Sequence, residues 1–238
     1  MSEINKLRFA PRSGANPDDF IITRKRKQYK FAVFQNMDNC FDVDNKAEVT
    51  KLIKTYDYIN LEIGAGTGLF SVKLAARHPE RFYVALDRKS DRLVRGAKEA
   101  KRLKLTNIIF YWSNADNLSG IIPAASVDNV WITFPDPWPQ ESNYKHRLTH
   151  PKRLARYYRL LKNDGLIQFK TDNQPLFDWS LEQFSEDQWH LEDVTHDLHA
   201  GKPADTDNLA DEFQTTTYEE RYIKEARKIC YLKAIKKS

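Results

Sequence analysis

Residues 58–68, Y-I-N-L-E-I-G-A-G-T-G, are the stretch whose residue types and spacing point most directly to chemistry. An apolar run leads into Gly64, Gly66 and Gly68, with one carboxylate, Glu62, two residues ahead of the first glycine. Glycine lacks a Cβ, so such a turn can bend sharply and let a ligand approach the backbone. The dinucleotide fingerprint is G-x-G-x-x-G, in which the turn cradles a pyrophosphate at a helix N-terminus. Here the glycines alternate, and an acid beside them would repel a pyrophosphate. The same acid would accept hydrogen bonds from a cationic amino-acid end. These features favour S-adenosyl-L-methionine over NAD, with Glu62, Gly64 and Gly66 as binding residues.

Further candidates stand at the ends of later apolar runs. Asp87 closes the run 82–87, about 20 residues past the glycines, where a strand-end acid accepts from ribose hydroxyls. It could also cap a helix over residues 90–104. Asn114 follows the run 107–112 and either reads an adenine edge or serves as a polar turn residue. The run 127–134 leads into P-D-P-W-P, residues 135–139. Each proline fixes φ and removes a donor, so Asp136 and Trp138 sit on a stiff loop where open α/β sheets bind ligands. Asp172 ends a run over 166–170 and is either another ligand-side acid or a cap for a helix near Pro175. Thr216 and Glu219 have capping-box spacing. His146 and His150 lack a metal-binding context, and His190, His196 and His199 lie near Asp193 and Asp197 without paired spacing, so no metal is expected.

The elements that must position these residues alternate between strand and helix patterns. Short continuous apolar runs read as buried parallel strands. Helical spacing follows over 69–77, over 90–104 with Leu93, Ala97, Ala100 and Leu103 as its apolar face, from about Pro151, and over 176–184. Residues 45–57 suggest a short helix, and strands are expected over 190–194 and 229–232. Residues 1–20 read as a loose arm and 201–211 as a mobile loop. Basic residues recur at 24–27, over 92–104 and over 152–159, the last with Tyr157 and Tyr158, a pattern suited to a nucleic-acid backbone. A net charge of +5 and a pI near 9.0 allow such a partner. Cys40 and Cys230 suggest no disulfide framework. No apolar run approaches a membrane span of about 20 residues, and the N-terminus lacks a signal-peptide core. A cytoplasmic protein without a membrane partner is expected, as monomer or homodimer.

Taken together, L-E-I-G-A-G-T-G, T-F-P-D-P-W-P, H-R-L-T, F-K-T-D-N followed by Leu176 and Phe177, D-L-H, and T-T-Y-E-E-R-Y resemble the bacterial tRNA (guanine-N7-)-methyltransferases. They run in family order from Leu61 to Tyr222. The resemblance implies a Rossmann-like class I methyltransferase, with a doubly wound, mostly parallel sheet and an antiparallel C-terminal strand. It implies a flexible basic arm over residues 1–30 and a methyltransferase domain over 31–238. The activity implied is methyl transfer from S-adenosyl-L-methionine to N7 of a guanine in the tRNA variable loop. Glu62, Asp87 and Asn114 match adenosylmethionine positions, and Asp136 matches the catalytic, cofactor-contacting position. Asp172, Thr216, Thr217, Tyr218 and Glu219 match substrate contacts. The chain departs from the family at Asn114, where an acid is usual, and at Gln140, where a substrate-binding lysine is usual. Ala226 and Lys228 replace a familiar glycine and proline.

Guanine N7 has a lone pair and no proton, so its methylation needs no general base. Positioning and electrostatics should carry the reaction. Asp136 would accept from the Watson–Crick edge of the guanine, and Trp138 would stack on the base or wall the pocket. The alternatives are an exocyclic-amino nucleic-acid methyltransferase, suggested by the D-P-P-W type of loop, and a non-catalytic RNA-binding relative.

Overall fold

The computed structural model describes Gly14 and residues 25–184, 188–200 and 210–237. Apart from Gly14, the arm expected over 1–20 lies outside the described residues, as does most of the loop expected over 201–211. The described chain forms two compact units, one running to Ile59 and from Gly64 to Ile122, the other comprising Asn60–Ile63 and the chain from Pro123.

In chain order the helices are α1 (Lys25–Gln35), α2 (Lys46–Ile53), α3 (Leu69–Arg77), α4 (Ser90–Arg102), α5 (Pro151–Leu160), α6 (Gln174–Leu181) and α7 (Thr217–Lys224). The strands are β1 (Cys40–Phe41), β2 (Ile59–Ile63), β3 (Phe82–Asp87), β4 (Ile108–Trp112), β5 (Val127–Thr133), β6 (Leu161–Thr171), β7 (Trp189–Thr195) and β8 (Cys230–Lys236).

In the first unit β4 pairs in parallel with both β1 and β3. Every residue of β3 is buried, which explains its unbroken apolar run. The amphipathic α4 buries Leu93, Val94, Ala97 and Ala100 and exposes Arg92, Arg95, Lys98 and Lys101. Leu103, expected on that apolar face, is instead half-exposed because the helix ends at Arg102. The α4 helix meets the glycine turn at Gly96, whose amide donates to the Thr67 carbonyl at 2.9 Å and where a Cβ would collide with that carbonyl and the Phe110 ring. The helix α1 was not evident from sequence, because Lys25, Arg26 and Lys27 dominate its first turn. Its ordering residues are Ala32 and Phe34, both buried, and Phe31, which meets Trp112 edge-on at 4.9 Å.

In the second unit β5 lies parallel to β2 on one side and to β6 on the other, while β8 runs antiparallel to β6 and β7. The expected antiparallel C-terminal strand is therefore present. A buried polar ladder crosses this sheet: the Tyr231 hydroxyl donates to Gln168 at 2.7 Å, the Gln168 amide to Asn129 at 3.3 Å, and the Asn129 amide to Asn60 at 3.1 Å. Polar groups on interior strands must find partners, and here each strand supplies the next. Residues 162–165 lie within β6, where Asp164 takes φ +59° and the β5 ladder shifts register between Val127 and Asn129.

Candidate active site

The glycine turn joins β2 to α3, and all three glycines have left-handed φ, +76° at Gly64, +56° at Gly66 and +70° at Gly68. The Gly64 and Ala65 amides both donate to the Leu86 carbonyl at 2.9 Å, tying the turn to the end of β3. Gly68 is packed tightly: a Cβ there would lie 2.6 Å from the Phe110 ring. Gly66 is the opposite, with nothing within 4 Å of where a Cβ would stand. An open left-handed glycine at the top of the turn is the place where a ligand can lie against backbone.

Asp87 belongs to the same construction. One carboxylate oxygen accepts the Gly66 amide at 2.9 Å and the other the Lys89 amide at 2.7 Å. Burial pushes its pKa up, and the two backbone donors oppose that shift. Each oxygen keeps a second lone pair that can accept a further donor. Asp87 does not cap α4: the residue preceding that helix is Lys89, which makes no side-chain cap. Asn114 is exposed, and its side chain caps a short 3-10 helix over Ala115–Gly120 by accepting the Asp116 amide at 3.2 Å. Its local turn role is thus real. Glu62, on β2, is buried and accepts the Thr133 hydroxyl at 3.0 Å.

Asp136 is exposed on a loop whose backbone is strained on both sides. Phe134 has φ +47° and Trp138 φ +44°, conformations costly for residues with a Cβ. Phe134, just past β5, donates its amide to the Lys170 carbonyl at 2.9 Å, which ties the start of the loop to the end of β6. Trp138 rests its ring against His146, centroids 5.1 Å apart. Gln140 is exposed and accepts from Asn143 at 3.3 Å as the chain enters a 3-10 helix over Glu141–His146.

Asp172 pairs with Arg227 at 3.1 Å, and Asn173, not Asp172, caps α6 through the Leu176 amide at 2.8 Å. Thr216 and Glu219 form the expected capping box of α7, with bonds of 3.0 and 3.1 Å. They are interior residues, however: Thr216 is buried and Glu219 has 0% exposure. Glu219 also takes the Lys170 ammonium at 3.3 Å and the His199 ring at 2.8 Å. Lys170 is equally inaccessible and donates a further bond to the Gln214 carbonyl at 3.0 Å. Thr217 and Tyr218 are exposed, Tyr218 at 55%, and Tyr218 faces Tyr222 at 6.4 Å. Tyr222 in turn contacts Phe134 at 5.8 Å and carries the Arg227 guanidinium over its ring at 4.7 Å. The second unit therefore links the start of the Asp136 loop, Asp172 and the head of α7 into one neighbourhood. Lys170 was not singled out by sequence. The signal available was a lysine closing the interior run L-I-Q-F-K.

Of the five histidines weighed as metal ligands, His190, His196 and His199 have separate carboxylate partners, in Glu192, Asp178 and Glu219 respectively.

The family described as "Putative methyltransferase" matches residues 57–232. The tRNA (guanine-N(7)-)-methyltransferase of Lachnoclostridium phytofermentans is 37% identical over 69% of this chain and 74% of its own length. That of Clostridioides difficile is 34% identical over 76% of this chain and 81% of its own. The chain belongs to the tRNA (guanine-N(7)-)-methyltransferase family. It is accordingly an enzyme, a methyltransferase whose methyl donor is S-adenosyl-L-methionine. Among solved structures, the 16S rRNA methyltransferase KamB matches with a TM-score of 0.61 at 19% identity, covering 81% of this chain and 94% of that one. The 16S rRNA (adenine(1408)-N(1))-methyltransferase from Catenulisporales acidiphilia matches with a TM-score of 0.55 at 14% identity, covering 81% and 94%. These likenesses establish the Rossmann-like methyltransferase fold. Among the described residues, no helix of this methyltransferase is long and apolar enough to cross a membrane.

The glycine turn fits the methyl donor. Within the first unit, Gly66 offers an open backbone face and Asp87 presents acceptors fixed by two amides. Acceptors of this kind beside an open glycine suit a ligand with ribose hydroxyls.

Proposed function

We propose that this methyltransferase methylates N7 of a guanine in the variable loop of tRNA, acting in the cytoplasm as a monomer or homodimer. The observation that carries the mechanistic part is the exposed Asp136, held between two left-handed residues in a proline-stiffened loop. Strain of that kind persists where the surrounding structure over-determines it, and it clusters at functional sites.

Glu62, Gly64, Gly66, Asp87 and Asn114 would hold S-adenosyl-L-methionine, with Asp136 as a further contact. When bound, this donor supplies a methyl group made electrophilic by its sulfonium charge. Asp136 accepts hydrogen bonds from the Watson–Crick edge of the guanine and offsets the positive charge the purine gains. No residue needs to remove a proton from N7. Asp172, through its pair with Arg227, and the α7 head complete the acceptor side. Thr217 and Tyr218 are its accessible members; Thr216 and Glu219 serve it from the interior by holding the first turn of α7. Trp138 either stacks on the base or walls the pocket. Gln140 offers a neutral amide where the family usually has a lysine, so backbone phosphates are gripped by the exposed cations of α4 and α5.

Asp136→Ala at saturating cofactor should lower turnover about 10²- to 10³-fold, the scale for removing one aimed electrostatic group. Quantifying N7-methylguanosine in a tRNA transcript checks this, and near-normal turnover would refute the role.

A further inference from the structure

We infer that Arg147 is a positioning residue for methyl transfer, fixing the Asp136 loop from its interior side. The inference rests on the reading that Asp136 engages the acceptor. Arg147 Nε donates to the Pro137 carbonyl at 3.0 Å, and Nη2 donates to the Trp138 carbonyl at 3.2 Å. One guanidinium thus holds the two peptide carbonyls that follow Asp136. Pro135, Pro137 and Pro139 have no amide hydrogen, so the prolines add no donor of their own to hold the loop. Its left-handed residues, Phe134 and Trp138, would relax toward ordinary φ without an outside clamp.

The clamp is itself immobilised. Arg147 is 4% exposed. Its guanidinium lies 3.5 Å from the centroid of Tyr144 and 4.5 Å from that of Trp179. Arg153 Nη1 donates to the carbonyls of Arg147 at 3.0 Å and Lys145 at 3.2 Å, pinning this segment to α5. A planar fork stacked on ring faces has one productive orientation. Lysine keeps the charge but lacks the fork and the stacking plane. The Arg147 side chain therefore acts through the loop it orients and needs no contact with the reacting atoms.

The test is a double-mutant cycle of Arg147→Lys and Asp136→Ala, with turnover on a tRNA transcript, cofactor affinity by calorimetry and thermal melting for each protein. Arg147→Lys should lower kcat about 10- to 100-fold, while leaving the cofactor dissociation constant within about threefold and the melt cooperative. In the Asp136→Ala background the same change should cost less than about threefold more, because no acid remains to be placed. Full multiplication of the two losses overturns the positioning role and leaves Asp136's role standing. Near-normal turnover of Arg147→Lys also overturns it. Near-normal turnover of Asp136→Ala refutes the functional reading, and the inference falls with it. If Arg147→Lys does not fold, Trp179→Leu, which removes one stacking face and leaves the fork, carries the same expectation through the same cycle.

Discussion

At the scale of single residues, chemistry and local structure share the same side chains. Asp87 ties the glycine turn to β3 and still presents acceptors, so the ligand role proposed for it rests on a structural one. His150 shows how a local role can set pH dependence. Its Nδ1 caps α5 by accepting the Lys152 amide at 3.3 Å, which only an unprotonated ring nitrogen can do. Burial, then Arg153 and Lys152, lower its pKa below the ordinary 6.5. As pH falls, the unfolded chain therefore takes up this proton before the folded one. The stability contribution is intact above about pH 6.5 and is lost as pH falls through the lower folded value. His150→Asn, whose side chain accepts at any pH, should flatten the decline in melting temperature between about pH 7.5 and about pH 5.5. An unchanged decline would assign it to other groups.

At the scale of elements, the decisive contact is the one between β6 and α7. Thr216 and Glu219 were legible as a capping box because that device depends only on an i, i+3 spacing. The use of the same Glu219 by Lys170 was not legible, since it depends on where β6 ends relative to the first turn of α7. Both side chains have 0% exposure, so removing one leaves the other's charge inside the protein with less compensation. Lys170→Met should destabilise the protein by about 3–5 kcal/mol, the scale for stranding a buried charge, read as a shift in the urea midpoint. Adding Glu219→Gln should recover much of that loss. An additive double mutant would mean that the two groups are not coupled. The loop at 135–139 and α5 tell a similar story. Arg153 reads as part of a basic, RNA-facing helix, yet it is buried and donates to backbone carbonyls.

At the scale of the whole molecule, net charge is the property that bears on the partner. A chain of +5 with pI near 9.0 attracts a polyanion over long range and releases counterions on contact. If four or five phosphates are neutralised, affinity for tRNA should fall roughly 100-fold between about 50 and 200 mM salt. Lys152 and Arg159 on α5 are exposed. Neutralising either should reduce the salt slope by about one, measured by filter binding across a salt series. Neutralising the buried Arg153 should instead lower the melting temperature.

Sequence alone determined what depends on neighbours along the chain. The spacing of Glu62, Gly64 and Gly66 selected the methyl donor, and the apolar periods located α3 and β3 at the residues where they stand. The ordered motifs indicated the family. Asp136 stood out because prolines restrict a backbone wherever they occur. Tertiary structure decided which of these groups face solvent and which are used inside. It made Glu219 an interior hub, gave Asp172 to Arg227 and the α6 cap to Asn173, and turned Arg147 into a clamp. Those outcomes depend on strand register and helix packing between residues far apart in the chain. A buried charge is stable only where such distant partners meet it, so no local pattern could announce it.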